Sequence, residues 1–475
     1  MADSLIDSIA PGLSDRIARI AADQRVPGVA VGIVRGQQLA WHAGFGFADL
    51  ATGRAVDQHT LFRIASITKT FTAAAIMQLQ ERKRLGLDEA LGRYLPEFRA
   101  VRNRFGPIDQ VTIRRLLTHR SGLVGEPPTG HWSTGKSDTT AEILATLPRI
   151  QIAIEPDSAF KYSNLAFALL GEVVARVSER PYPDYVRDEL LRPLEMDGSG
   201  FDLDADRRAR MATGYRPHPH EDLPGDAVPL ESGALATDGG LSAGGLRSSV
   251  ADLAKWIALQ FRTRDPAAER DSAADSKIVL SARSLREMHR VSFVEADWKS
   301  GYCLPWWATR VGDNIYLHHG GAVEGFLSFV AFNKLYRVGV IVLTNATDHF
   351  AHEAIAFETL ETLMAREKEV RAAVVSPPSI ATPPELRPLL GRYRWQFGDL
   401  LIEFRNGRLV LAVPPGLSFR PSPPPSPLIA TDQPNVFIAS AGRPAGEPIT
   451  FEIGADGQAT GFMMGEKGFP YRKVL

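Results

Sequence analysis

The sequence predicts an α+β fold, in which an antiparallel sheet carries a large helical insertion and a small antiparallel β-domain follows. Strand patterns occur near both ends of residues 1–370, and short helical patterns broken by glycine and proline fill residues 110–300. Only short strand patterns follow a proline-rich stretch at 371–388. We therefore predict a large domain over 1–370, a linker over 371–388 and a small β-barrel or sandwich over 389–475.

The first elements combine helix and strand. Apolar residues at helical spacing predict an amphipathic helix over 13–24, which Pro27-Gly28 ends. Alternation over 29–33 and an apolar stretch at 39–41, separated by a glycine turn, predict a β-hairpin. Residues 67–83 again have apolar side chains at helical spacing and predict a second helix.

The later elements return to strands. A second hairpin is predicted around Gly312, with strands at 304–311 and 314–319. Apolar segments at 329–332 and 338–343 predict two further strands. A helix over 351–370 follows, and the polar segment 265–277 is expected to be a surface loop. The strands predicted beyond the linker are 400–404, 408–413, 436–439, 449–453 and 460–464.

Charge and hydropathy disfavour two classes of partner. The chain has 54 basic and 55 acidic side chains, a formal net charge of −1, which disfavours nucleic-acid binding through a basic face. Residues 1–5 lack the basic start of a secretion signal, and no stretch of 18 uninterrupted apolar residues occurs. We expect a cytoplasmic protein with neither a nucleic-acid nor a membrane partner.

Metal and disulfide chemistry are also disfavoured. Cys303 is the only cysteine, so an intrachain disulfide and a cysteine-based metal site are excluded. His218-Pro219-His220-Glu221 lies in a proline-rich loop, and His352-Glu353 lacks the second histidine of a zinc motif. We therefore expect no metal and no other cofactor.

The segment Ser66-Ile67-Thr68-Lys69 places a nucleophile and a base on one helical face, because Ser66 and Lys69 are one turn apart. A serine hydroxyl needs a base to remove its proton, and lysine is such a base when burial lowers its pKa. Backbone N–H groups at the start of a helix can also hold an oxyanion. We predict Ser66 as the nucleophile and Lys69 as its activating partner.

Two further segments supply groups that this pair lacks. Tyr162 and Asn164 form a Y-x-N sequence, in which a phenol can relay protons and an amide can hold both lysine and a substrate carbonyl. His319, Gly320 and Gly321 lie in a strand pattern, where glycines allow close approach of a substrate. We predict Tyr162 and His319 as catalytic residues and Asn164, Gly320 and Gly321 as substrate-binding residues.

Two other serines fit nucleophile motifs less well. Ser133 opens a second S-x-x-K match, but in a Gly/Thr/Ser loop with no helix after it. Ser242 is the centre of a G-x-S-x-G match at 240–244, the nucleophile elbow of α/β-hydrolases. The elbow requires a buried strand before it, and residues 232–239 do not have that pattern.

In this order and spacing, the motifs resemble the serine β-lactamase and penicillin-binding-protein superfamily. The resemblance is to its class C-like branch, which contains D-aminopeptidases and family VIII carboxylesterases, and it covers about residues 10–365. The chain from Leu390 to Tyr393 resembles the start of the lipocalin-like β-barrel that some members append. The segments that carry the main resemblance are 62–69, 116–123, 162–164, 244–253 and 319–326.

The resemblance implies a β-lactamase-like fold and an oxyanion hole formed by the backbone N–H groups of Ser66 and Ala322. The chain departs from the family at the third motif, which is usually Lys-Thr-Gly or Lys-Ser-Gly, because His319 and Gly320 stand there. The cation and hydroxyl that would hold a substrate carboxylate are thereby weakened or lost. Arg120 also stands where a small residue is more common.

From the residues and the resemblance we expect a serine hydrolase that cleaves an amide or peptide bond of a small substrate or short peptide through acyl-Ser66. The appended barrel favours a peptidase or amidase. Two alternatives stay open: a family VIII carboxylesterase acting on short-chain esters, and a catalytically silent binding or sensor module. A homo-oligomer is also left open. Tyr302, Trp306 and Trp307 are candidates for either an aromatic substrate wall or core packing.

Overall fold

The computed structural model describes the chain in two compact units, Met1–Glu367 and Lys368–Leu475. The described residues are 4–129, 138–216, 228–230, 238–264, 279–347, 349–374, 381–396, 398–414, 424–466 and 468–474. The predicted loop at 265–277, Ser133 and His218–Glu221 therefore lie outside the described residues. So does part of the predicted linker, within which a 3-10 turn is described at Pro384–Leu389.

The first unit is built on a nine-stranded antiparallel sheet with strand order β3-β2-β1-β13-β12-β11-β10-β9-β8. The two further described strand pairs are β4 with β7 and β5 with β6. In chain order the strands are β1 Gly28–Arg35, β2 Gln38–Asp49, β3 Arg54–Ala55, β4 Phe62–Arg63, β5 Gly214–Arg216, β6 Val228–Leu230, β7 Arg247–Ser248, β8 Phe293–Val294, β9 Ser300–Tyr302, β10 Trp307–Val311, β11 Asn314–Val323, β12 Phe326–Asn333 and β13 Val338–Thr344.

The helices occupy both ends of the unit and the long insertion between β3 and β8, which confirms the predicted α+β fold. The helix predicted at 13–24 begins earlier, at Ser4, and the one predicted at 67–83 follows a 3-10 turn at Ala65–Ile67. The described α-helices are α1 Ser4–Asp23, α2 Thr68–Glu81, α3 Ile113–Leu117, α4 Thr140–Thr146, α5 Asn164–Ser178, α6 Tyr182–Val186, α7 Ala205–Arg210, α8 Leu241–Gly244, α9 Val250–Gln260, α10 Ala282–Met288 and α11 Ala351–Val374.

The central strands are apolar on both faces because each face is covered. Successive side chains of a strand point to opposite faces. On β1, Val31 and Ile33 pack with α1 and α11, whereas Ala30 and Val34 pack in the core that contains α2 and α9. Because helices cover both faces of the sheet, the sequence of β1 is nearly continuously apolar.

Helix α2 is buried on all sides, which the amphipathic pattern did not predict. Every residue from Thr68 to Leu79 is buried. Its polar side chains are hydrogen-bonded inside the unit: the Trp256 indole donates to Thr70, and Gln78 donates to backbone carbonyls. The Phe71 ring stacks on Trp256 with centroids 3.9 Å apart. A buried, internally hydrogen-bonded helix therefore carries Lys69 in its first turn.

Arg120, unexplained from the sequence, ties two loops together. Its guanidinium donates to the Asp157 carboxylate at 3.0 Å and to the Asp157 backbone carbonyl. It also lies over the Phe293 ring, 4.6 Å from the centroid. The arginine thus joins the segment after α3 to the chain preceding Tyr162 and to strand β8.

The second unit is a closed eight-stranded barrel, as expected from the resemblance. All five predicted strands are present, and three more close the barrel. Aromatic side chains fill its interior, with the Phe462 centroid 5.0 Å from Tyr393 and 5.6 Å from Phe451. The strands are β14 Gly391–Trp395, β15 Gly398–Arg405, β16 Arg408–Ala412, β17 Ser426–Ala430, β18 Val436–Ala439, β19 Pro448–Ile453, β20 Ala459–Met464 and β21 Phe469–Val474.

Candidate active site

Ser66 lies in the 3-10 turn Ala65–Ile67, immediately before α2. The turn is held by Thr68, whose hydroxyl donates to the Ala65 carbonyl at 2.6 Å and accepts from the Leu246 N–H at 3.1 Å. Ala65 has a φ of 43°, a left-handed conformation that is uncommon for a residue with a side chain. Ser66 is therefore presented by a constrained turn and is partly exposed.

Strand β11 lies directly against this turn. The Ser328 hydroxyl, on the neighbouring strand β12, donates to the Ile64 carbonyl at 2.9 Å. A Cβ atom on Gly321 would lie 2.2 Å from the same carbonyl oxygen, so only glycine allows this approach. The pairing of β11 with β10 extends only to His318, which leaves the β10-facing edge of 319–323 without a strand partner among the described residues.

Lys69 reaches Ser66 from the first turn of α2. Its Nζ donates to Ser66 Oγ at 2.9 Å and to the Ala243 carbonyl at 2.6 Å. Burial lowers the pKa of the Lys69 ammonium to about 7, and the negative charge of Glu126 opposes that shift. Near pH 7 a substantial fraction of Lys69 is therefore neutral and can accept a proton.

Tyr162 lies close to both Ser66 and Lys69. Lys69 Nζ lies 5.0 Å from the Tyr162 ring centroid. Burial raises the pKa of the Tyr162 phenol well above its usual value; the nearby Ser66 side chain lowers this pKa and the charge of Glu126 raises it further. The phenol therefore keeps its proton at neutral pH.

Asn164 begins α5, two residues after Tyr162. Ser163 caps this helix, because its hydroxyl accepts from the Ala166 N–H at 3.0 Å. The Asn164 side-chain amide donates a hydrogen bond to the Glu126 carboxylate. Among the described residues, no hydrogen bond joins Asn164 to Lys69. Asn164 and Glu126 thus form a polar pair whose negative charge acts on both Lys69 and Tyr162.

His319 is buried on β11, and its Nδ1 lies 2.7 Å from the Gly320 carbonyl oxygen. Burial, with a smaller effect of the Lys69 charge, lowers the pKa of the His319 imidazole to about 3. The ring is therefore neutral at pH 7. Its Nε2 has no hydrogen-bond partner among the described residues.

The fold thus brings Lys69 into contact with both Ser66 and the Tyr162 ring, and it places the β11 segment 319–322 beside the Ser66 turn. Sequence reasoning assigned no role to Glu126, His119 or the Ala243 carbonyl. His119 lies within the quoted motif at 116–123, and Ala243 within the glycine-rich motif at 240–244, so both segments were visible as patterns.

The competing serine in that motif is part of the core. Ser242 is buried on α8, and its hydroxyl donates to the Phe167 carbonyl at 2.9 Å. Trp306 and Tyr302 are likewise fully buried, whereas Trp307 is partly exposed and packs on Phe160 with centroids 4.8 Å apart. Of the three aromatic candidates, only Trp307 is available to a substrate.

The described residues carry neither a metal-binding cluster nor a membrane span. No group of three or more His, Cys, Asp or Glu side chains there is arranged to hold a metal ion. Within the same residues, no helix is both long and apolar enough to cross a bilayer.

Sequence comparison relates the chain to curated proteins. It is 25% identical over 343 residues to "Protein flp" of Staphylococcus aureus (strain MW2), which covers 72% of this chain and 64% of that protein. The chain thus spans less than two thirds of that relative's length. It is 32% identical over 244 residues to the esterase EstB of Burkholderia gladioli, which covers 48% of this chain and 60% of the esterase.

Solved structures share the fold. An octameric penicillin-binding protein homologue from Pyrococcus abyssi superposes with a TM-score of 0.62 at 22% identity and covers 98% of this chain and 100% of its own. A β-lactamase/D-alanine carboxypeptidase from Pseudomonas syringae gives 0.61 at 21% identity, covering 74% and 98%. The pattern that defines the Beta-lactamase family matches residues 13–362, a span that contains Ser66, Lys69, Tyr162 and His319. The chain therefore belongs to the β-lactamase family.

Proposed function

We propose that this chain is a serine hydrolase that cleaves an amide or peptide bond of a small substrate through an acyl intermediate on Ser66. The observation that carries the proposal is the 2.9 Å contact between Lys69 Nζ and Ser66 Oγ, combined with a Lys69 pKa of about 7. A buried lysine that is partly neutral at physiological pH is a competent base for a serine hydroxyl.

In acylation, Lys69 takes the Ser66 proton while Oγ attacks the carbonyl carbon. The resulting oxyanion is held by the backbone N–H groups of Ser66 and Ala322, as the family resemblance implies. Because the Tyr162 phenol is protonated and lies near Ser66, it donates its proton to the leaving group as the C–N bond breaks. The proton on Lys69 then restores the phenol.

In deacylation the same groups work in reverse. A water molecule loses its proton through Tyr162 to Lys69 and attacks the acyl carbon. The C–O bond to Ser66 breaks, and Ser66 Oγ recovers its proton from Lys69. Lysine and tyrosine therefore end the cycle in the protonation states in which they began it.

The environment of His319 supports substrates without a carboxylate beside the scissile bond. A neutral, buried imidazole and the side-chain-free Gly320 give a carboxylate neither a cation nor a hydroxyl. The carboxylate of Glu126 adds negative charge near Lys69 and Tyr162. We therefore propose weak turnover of β-lactams, which carry such a carboxylate.

The second candidate is a carboxylesterase, and the 32% identity to the esterase EstB favours it. The same residues serve ester cleavage, because an alcohol leaving group needs less proton donation than an amine. Comparing kcat/KM for D-amino-acid amides, short peptides and p-nitrophenyl esters distinguishes the two. A larger kcat/KM for amides relative to a chemically matched ester supports the amidase proposal, and measurable turnover of esters alone refutes it.

The third candidate, a silent binding module, is tested by covalent labelling. A fluorophosphonate probe should label the protein, and Ser66→Ala should abolish the labelling while Ser242→Ala retains it. Ser242 is the matched control because its hydroxyl is committed to a backbone carbonyl. Absence of labelling in the unaltered protein would support the binding module instead.

We further propose that the protein forms a homo-oligomer, since the Pyrococcus abyssi homologue, which matches nearly the whole chain, is octameric. Light scattering coupled to size-exclusion chromatography measures the molar mass directly. A monomer at micromolar concentration would refute this proposal and leave the hydrolase proposal unaffected.

A further inference from the structure

His119 holds the chain on both sides of Tyr162. Its backbone carbonyl accepts the N–H of Lys161 at 2.8 Å. Its ring Nδ1 accepts the N–H of Ser163 at 3.1 Å. Between these two hydrogen bonds, the imidazole lies against the Tyr162 ring with centroids 4.3 Å apart. One residue therefore constrains the backbone before and after Tyr162 and the side chain itself.

His119 is itself rigidly placed. It follows α3 with a φ of 55°, and its N–H donates to the Leu116 carbonyl at 3.1 Å. The ring is completely buried and packs on Phe167 and Tyr302, with centroids 5.1 and 5.3 Å away. A left-handed backbone conformation in a buried histidine costs free energy, and such strain is retained where the surroundings require it.

The ring must be neutral to make this contact. Because Nδ1 accepts a hydrogen bond, the ring proton is on Nε2, which has no partner among the described residues. Burial keeps the pKa of His119 well below its usual value, and the charge of Lys69 acts in the same direction. The acceptor for the Ser163 N–H therefore persists through the neutral pH range.

We infer that His119 is a positioning residue for the hydrolytic reaction: through the amides of Lys161 and Ser163 it fixes the position of Tyr162 beside Lys69 and Ser66. This inference rests on the proposed function, in which Tyr162 relays the proton to the leaving group. Small displacements of a proton donor are costly, because a misplacement of about 1 Å can reduce a rate by about 10²-fold.

The discriminating variants are His119→Ala and His119→Asn. Alanine removes the Nδ1 acceptor, and we expect kcat to fall by about 10²-fold with little change in KM. Asparagine offers its side-chain oxygen near the position of Nδ1 and tolerates a positive φ, so His119→Asn should retain most of kcat. A buried histidine elsewhere in the unit, His289, supplies the control, since His289→Ala should lower stability without lowering kcat.

A double-mutant cycle with Tyr162→Phe separates positioning from a general structural role. If His119 acts through the Tyr162 hydroxyl, His119→Ala should cause little further loss of kcat once that hydroxyl is absent. If His119→Ala lowers kcat equally with and without the Tyr162 hydroxyl, the positioning role of His119 is refuted. The proposed hydrolase function is not affected by that outcome. Full activity of Tyr162→Phe would instead refute the proton relay and, with it, this inference. Should His119→Ala fail to fold, His119→Gln, whose acceptor is displaced by one methylene, takes its place in the cycle.

Discussion

Lys69 Nζ lies 2.9 Å from Ser66 Oγ, at the start of a helix that is buried on every side. The contact follows from the three-residue spacing, whereas the reactivity of the lysine follows from its burial. A lysine in the same position on an exposed helix would remain an ammonium at neutral pH and would be unable to accept the serine proton.

The Lys69 pKa predicts the pH dependence of the reaction. Since Lys69 must be neutral to act as the base, kcat/KM should fall as the pH drops below about 7. The Glu126 carboxylate stabilises the ammonium, so Glu126→Gln should lower the Lys69 pKa further and move this acidic limb to lower pH. Glutamine still accepts the hydrogen bond from Asn164, so the variant removes the charge and keeps this contact.

The pH profile of kcat/KM with a neutral p-nitrophenyl ester provides the measurement. Asp313→Asn, in the exposed turn between β10 and β11, is the control and should leave the limb in place. A shift to higher pH in Glu126→Gln would contradict the assignment of the limb to Lys69.

Removing the Tyr162 hydroxyl should impair chemistry and leave the fold intact. Tyr162→Phe is expected to lower kcat by roughly 10²–10⁴-fold, the usual contribution of general acid–base catalysis. The aromatic contacts with His119 and Lys69 persist in phenylalanine, so circular dichroism and the unfolding midpoint should change little. An active Tyr162→Phe enzyme would show that Lys69 alone transfers the protons.

Two adjacent glycines on β11 should respond differently to alanine. A Cβ on Gly321 would lie 2.2 Å from the Ile64 carbonyl oxygen. This clash would displace the turn that carries Ser66. A Cβ on Gly320 would make ordinary van der Waals contacts, 3.4 Å from the Phe329 ring and 3.8 Å from the Ser328 carbonyl oxygen. Gly321→Ala should therefore cost about 1–3 kcal/mol of stability and lower kcat, whereas Gly320→Ala should be tolerated. Denaturant unfolding and kcat measured on both variants check this; equal effects would contradict it.

The third motif offers a test of specificity. His319→Lys combined with Gly320→Thr should improve hydrolysis of cephalosporins relative to esters, since it adds a cation and a hydroxyl for the substrate carboxylate. A Cβ at position 320 would make ordinary van der Waals contacts and no clash, the nearest being 3.4 Å from the Phe329 ring. The measured quantity is the ratio of kcat/KM for a cephalosporin to that for a p-nitrophenyl ester. Efficient cephalosporin turnover by the unaltered protein would show that another residue anchors the carboxylate.

Sequence patterns predicted the fold class because its signals are local. The hairpin at β1 and β2, the strands β12 and β13 and the helix after Ser66 each follow from periodicity within one segment. Three barrel strands, Gly391–Trp395, Ser426–Ala430 and Phe469–Val474, were not predicted. These strands are short, and each contains proline, glycine or charged residues that weaken a strand pattern. Their extended conformation depends on pairing with neighbouring strands of the barrel.

For the candidate site, the sequence by itself determined which chemical groups are present and the one relationship that is local, the helical turn joining Ser66 to Lys69. Only the tertiary structure decided their protonation states and their partners. Glu126, His119 and the Ala243 carbonyl reach Lys69 or Tyr162 from segments far away in the chain, and the burial that lowers the Lys69 pKa comes from packing on every side of α2. A spacing rule carries information about neighbours one turn away, whereas desolvation depends on everything that surrounds a group in space.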